Sequence, residues 1–223
     1  MLDEITKTIY PDCCEVIEIE SGCKYVYPIF KCGRSSLYET LPDRNWRVLT
    51  NQDIAQITAP ITVFVRDPRD RFVSGVNTFI QHLLRENDEL DVNTILYFVD
   101  RYLFLNRHYA PQFFWLIQLA TYGGRDQVLH FEPMQKISEL TDLNSDAGVH
   151  PVTPWLADRI KNFDWQPLEL YMFLDQIILD HIGHPISFKE LIYKIYHQHP
   201  EVYRLIFEHS RQLTAVIDVL PKT

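Results

Sequence analysis

The sequence predicts an α/β fold: a central parallel β-sheet flanked by helices, with a helical C-terminal part. Three observations carry this. Runs of apolar, β-branched and aromatic residues at 24–30, 60–65 and 128–131 each stop where a loop or helical pattern opens. The middle run, Pro60-Ile61-Thr62-Val63-Phe64-Val65, is nearly unbroken, as in strands covered on both faces of a parallel sheet. From Thr153 onward the pattern is helical, at about 154–162, 166–182, 187–197 and 200–217.

The first strand, Lys24–Phe30, ends in the loop Lys31-Cys32-Gly33-Arg34-Ser35-Ser36, and a short helix starts at Leu37–Leu41. After the second strand come Arg66-Asp67-Pro68. Asp67 suits a helix N-cap and Pro68 the first helical position. That helix runs to about Arg85, with Phe72, Val76, Phe79, Ile80 and Leu83 on one face. Asp91–Leu105 is a further helical pattern. Asn106–Gln112 is polar, contains a proline and reads as a loop; Phe113-Phe114-Trp115-Leu116-Ile117 reads as core. Val128–Phe131 is the third strand, and Glu132-Pro133 opens a helix to about Leu140. Thr141–His150 is a loop rich in Asp, Asn, Ser and Gly.

With 223 residues, 46% of them hydrophobic, the chain is long enough for one substantial core. We assign residues 1–184 to an α/β domain and 185–223 to a helical extension of it. The net charge of −9 argues against a nucleic-acid binder but not against a small anion held by a few local cations. Among only 7 glycines there is no dinucleotide fingerprint, and no Gly-Lys-Ser/Thr ends a Walker A loop. That opposes a P-loop kinase. No apolar run is long enough to span a membrane, and the N-terminus lacks the basic and apolar regions of a signal peptide. The expected compartment is cytoplasmic, or the Golgi lumen if a membrane anchor has been trimmed. Cysteines at 13, 14, 23 and 32 form no Cys-x-x-Cys pair, so free thiols are expected.

Two loops carry the candidate chemistry. In the first, a strand end meets a helix start, where backbone N–H groups are unpaired. Gly33 allows close backbone approach, Lys31 supplies a point charge, and Ser35 and Ser36 add hydroxyls. Such a loop suits phosphate or sulfate, although ordinary turns share the pattern. In the second, Arg66 follows a buried strand and Ser74 lies eight residues on, so guanidinium and hydroxyl can grip one phosphate. Arg69, Asp70 and Arg71 alternate in sign, which suits an ion-pair cluster at a helix start. His181-x-x-His184 beside Asp180 could hold metal, but Gly183 and Pro185 mark a helix end where histidine suits the dipole.

Taken together, the two loops resemble those of sulfotransferases that use 3′-phosphoadenosine 5′-phosphosulfate (PAPS). The segment Phe64-Val65-Arg66-Asp67-Pro68-Arg69-Asp70-Arg71-Phe72-Val73-Ser74 is similar to the Golgi carbohydrate sulfotransferase version. Asn106-Arg107-His108-Tyr109-Ala110-Pro111-Gln112 and the helix Leu170–Ile178 are similar to later segments of that subgroup. The resemblance covers about residues 24–183 with the motifs in order. It implies a P-loop-like sulfotransferase fold and in-line transfer of a sulfonyl group to a hydroxyl, without a metal. The acceptor would be a glycan or small molecule, and the product nucleotide 3′,5′-ADP (PAP).

Carried over by position, Lys31 would hold the 5′-phosphosulfate and stabilise the leaving phosphate, with Gly33, Arg34, Ser35 and Ser36 lining that cradle. Arg66 and Ser74 would hold the 3′-phosphate, with Thr153 a further candidate at that end. Relatives place a His or Glu base between the two motifs, but residues 37–60 contain no histidine, only Glu39, Asp43 and Asp53. His108, in the family-like loop, is the first candidate base, ahead of Glu39 and His82. That departure keeps open a catalytically degenerate PAPS- or PAP-binding protein. The acidic surface also speaks against a polyanionic acceptor such as heparan sulfate.

Overall fold

Among the described residues six strands form one sheet, in the order β3-β1-β2-β4-β5-β6. They are β1 (Glu15–Ile19), β2 (Lys24–Tyr27), β3 (Trp46–Thr50), β4 (Ile61–Val65), β5 (Val128–Pro133) and β6 (Ile186–Ser187). The computed structural model describes residues 14–20, 24–41, 45–86, 97, 99–100, 103, 106–137, 139 and 152–210. The α/β class is as expected, but the sheet is mixed. Only β2, β4 and β5 run parallel, with Tyr27 opposite Val63 and Val63 opposite Phe131. β1 is antiparallel to both β2 and β3, and β6 is antiparallel to β5.

The three strands absent from the sequence reading lie toward the margins. β3 buries Leu49 but leaves Arg47, Val48 and Thr50 exposed, so its alternation is faint. β6 has only two residues. β1 alternates faces and is buried beyond Glu15, but it is short and its pairing with β2 and β3 is what extends it.

Side chains alternate across the sheet and build two cores. On one face Val16, Tyr27, Val63, Val65 and Phe131 pack with α3 (Gln112–Gly123), α5 (Glu169–Leu179), α6 (Phe188–Gln198) and α7 (Pro200–Ser210). On the other face Ile17, Ile19, Val26 and Phe64 meet Leu37 and Leu41 at α1 (Arg34–Thr40), together with Ile137. The aromatic run of α3 is wholly buried, as expected.

α2 (Pro68–Glu86) is capped as the sequence predicts: the Asp67 carboxylate accepts from the N–H groups of Arg69 and Asp70, at 2.9 and 3.0 Å. Its apolar stripe of Phe72, Val76, Phe79 and Ile80 packs on Tyr109, Tyr171 and Leu156 of α4 (Pro154–Lys161).

Two local expectations are corrected. The helix placed at Glu132 starts later: pairing with β4 through Val65 opposite Pro133 keeps the chain extended, and a 3-10 turn follows at Met134–Lys136. The segment 106–112 is a turn, but residues 108–112 are buried. α2 makes room for it at Gly75, where a Cβ would stand 2.2 Å from the His108 carbonyl oxygen. The expected helix at 91–105 and loop at 141–150, residues 211–217 of the last helix, the Leu83 side chain, Cys13, Cys23 and Asp43 lie largely or wholly outside the described residues.

Candidate functional site

Because β2 and β4 are parallel neighbours, Lys31 and Arg66 emerge at the same edge of the sheet, where α/β folds place ligands. The chain leaves β2 through a tight turn. Lys31 and Gly33 both have left-handed backbone, with φ of 66° and 81°. A Cβ on Gly33 would stand 2.1 Å from Ile137 Cδ1 and 3.3 Å from Met134 Cγ. Gly33→Val is therefore expected to combine backbone strain with overpacking, at a cost of about 3 kcal/mol or more. Gly33→Ala should cost less, since the Ile137 methyl can yield. Urea unfolding of both variants checks this; a valine variant as stable as wild type would show that neither constraint acts.

α2 gathers the predicted residues. Arg71, Ser74 and Thr78 are spaced three and four apart and share one face. The Lys31 ammonium donates to the Thr78 hydroxyl, which in turn donates to the Ser74 carbonyl at 3.1 Å. Asn77, on the same turn, accepts from the Thr153 N–H at 2.9 Å. One helix thus links the Lys31 loop, Ser74 and Thr153, three segments far apart in sequence. The Asp67 carboxylate caps this helix, so any anion here relies on side chains and loop amides rather than on its N-terminus.

Charge at this edge is positive. Burial, then Arg71 and Arg66, lower the Lys31 ammonium to about 8. Among the described residues neither Lys31 nor the Arg66 guanidinium has a carboxylate partner. Arg34 differs: it pairs with Glu15 of β1 at 2.7 Å and lies 4.4 Å over the Phe30 ring. Arg107 sits over the same ring, at 5.2 Å. Ser35 is exposed and Ser36 half-buried on α1.

The candidate bases differ sharply. His108 is 5% exposed, lies edge-on to Phe30 and contacts the His82 ring. Burial first, then Arg107, Lys31, His82 and Arg71, push its imidazole down to about 3, so it is neutral near pH 7. Its buried Nδ1 has no partner among the described residues. Glu39 and Asp53 are exposed. His181 behaves as a helix-end residue: Nδ1 lies 2.8 Å from the Ile177 carbonyl and Nε2 2.8 Å from Lys194 Nζ. Among the described residues no group of three His, Cys, Asp or Glu could hold a metal.

Sequence reasoning gave no role to the buried network beneath the loop. Gln112 accepts from the Arg66 N–H and donates to the Arg66 carbonyl, both at 2.9 Å. It also accepts from the Cys32 thiol at 3.1 Å and donates to Asp175 at 3.0 Å. Asp175 accepts further from the Phe113 N–H at 3.2 Å; burial pushes its carboxyl up to about 6, against the pull of Arg71. Arg71 is fully buried rather than part of a surface ion-pair cluster, whereas Arg69 is exposed beside Trp165. Gln112 and Asp175 stood in the resembling segments, which was the only signal available for them.

Cys14 and Cys32 are buried, and burial raises the Cys32 thiol to about 11, so it is protonated near pH 7. Among the described residues no helix is long and apolar enough to cross a membrane. No protein-family model matches the chain, and no curated protein or solved structure matches it.

Proposed function

We propose that this chain binds PAPS at the Lys31–Arg66 edge and transfers its sulfonyl group to a hydroxyl, that of a carbohydrate or small molecule. One observation carries the reading. In a chain of net charge −9, the half-buried Lys31 ammonium is bound by a hydroxyl, and the charges acting on it are the cations Arg71 and Arg66. Such a group calls for an anion. The likeness of the Arg66–Ser74 segment to the 3′-phosphate motif of PAPS enzymes supports a nucleotide with two anionic ends.

The residues present fit that ligand. PAPS supplies an activated sulfonyl group. Protonated Lys31 would hold the negative charge that grows on the leaving phosphate oxygen. Arg66 and Ser74 would hold the 3′-phosphate. The Thr153 hydroxyl is buried without a partner among the described residues and offers a further donor near Asn77. Neutral His108 has a lone pair able to take the acceptor's proton.

One observation also favours binding without turnover. Burial and nearby cations disfavour the imidazolium form of His108, and Glu39 is exposed. Two measurements separate the readings. A thermal shift with 3′,5′-ADP that ATP does not reproduce is expected, and a response to ATP alone would sink the PAPS reading. Radiolabel transfer from PAPS to a glycan panel should then show turnover that His108→Ala reduces. Binding without transfer to any acceptor would favour the second reading.

A further inference from the structure

We propose that Arg71 is itself a buried ligand of the anion held at this edge, donating from Nη2 to a phosphate or sulfonyl oxygen between Lys31 and Arg66. The inference rests on the anion-binding reading of the site, but not on which nucleotide carries the anion.

The guanidinium is 0% exposed, and its other arms are occupied. Nε donates to the Phe30 carbonyl at 3.1 Å. Nη1 donates to the Ala110 carbonyl and to the Tyr171 hydroxyl, the latter at 3.0 Å. Nη2 is buried with no nitrogen or oxygen partner among the described residues, and the guanidinium also bears on the Cys32 sulfur. In a planar guanidinium the Nε hydrogen and Nη2 form one fork facing the same side. The Nε arm ends on Phe30, the residue before Lys31, so Nη2 faces the loop. Both carboxylate oxygens of Asp175 are already engaged, by Gln112 and Phe113.

The helix supplies a second line of argument. On the shared face of α2, Arg71 contacts Phe30 and Thr78 contacts Lys31, its neighbour in sequence. Ser74 lies between them on that face of the helix. An unpaired donor on a fully buried cation is costly. An oxyanion there would satisfy that donor and offset the mutual repulsion of Lys31, Arg66 and Arg71.

Titration calorimetry with pyrophosphate tests this without assuming the nucleotide. Arg71→Lys keeps the charge but loses the fork. It is expected to weaken pyrophosphate and 3′,5′-ADP binding roughly tenfold or more, with circular dichroism showing a folded chain. Unchanged affinity in a folded Arg71→Lys protein would overturn the proposal while leaving the PAPS reading standing. Pyrophosphate binding that depends on Arg71, without 3′,5′-ADP binding, would sink the PAPS reading alone. Failure of the wild type to bind either would overturn both. If the variant does not fold, a crystal structure of the wild type with pyrophosphate decides. Nη2 at about 2.7–2.9 Å from a pyrophosphate oxygen supports the role; Nη2 bonded instead to a protein carbonyl or carboxylate refutes it.

Discussion

Gln112→Ala is expected to destabilise the protein by about 3–5 kcal/mol and to weaken anion binding in whatever remains folded. Gln112 is 0% exposed and joins three elements through one amide. Without it, the N–H and carbonyl of Arg66 and one oxygen of Asp175 lose their partners. Each buried group left unpaired costs about 1–3 kcal/mol. Arg66 would also lose the two bonds that hold its backbone at the end of β4. Gln112→Glu should not rescue: it keeps an acceptor but loses the amide donor and sets a second carboxylate beside Asp175. Urea unfolding gives the stability and titration with 3′,5′-ADP gives the affinity. A Gln112→Ala protein within about 1 kcal/mol of wild type would show that neighbouring groups replace the amide.

Lys31→Ala is expected to lower affinity for 3′,5′-ADP at least tenfold by removing a charge-assisted contact. It should also change the pH dependence. The Lys31 ammonium stands at about 8 in the fold, well below an ordinary lysine. Wild-type affinity for the fully ionised ligand should therefore fall above about pH 8 as the ammonium discharges. Lys31→Ala should show no such fall. The sign for stability is the opposite. Between about 8 and the ordinary lysine range, about 10.4, the unfolded chain binds more protons, so the ligand-free fold gains stability as pH rises. Arg66→Ala should weaken the same ligand and move the fall to higher pH, because the Arg66 charge helps to lower the Lys31 ammonium. Unchanged affinity in both variants would refute the site.

Much of the site was legible because its signals are local. Asp67 before Pro68 announces a capped helix, and the helix is there. A cation following an apolar run marks a strand end: Arg66 directly follows β4, whereas β2 stops at Tyr27, short of the expected Phe30, and Lys31 lies in the turn beyond it. Gly33 was singled out in a glycine-poor chain, and its left-handed backbone against Ile137 gives the reason. The burial of Arg71 was not legible, because alternating signs over Arg69, Asp70 and Arg71 suit an ion-pair cluster at a helix start. Only the packing of Tyr109 and Tyr171 over α2 closes that helix face.

By itself, then, the sequence determined the α/β class, the course of α2 and the cations that follow two of its strands. Hydrophobic period, capping residues and the limits of apolar runs are written in adjacent positions. Only the tertiary structure decided that the sheet is mixed, that Gln112 pins Arg66, and that Arg71 is buried beneath the loop. Those outcomes depend on pairings across 46 residues for Gln112 with Arg66, 41 for Arg71 with Phe30 and 100 for Arg71 with Tyr171. Desolvation and hydrogen-bond satisfaction act on residues brought together in space, and local pattern does not record which residues will meet.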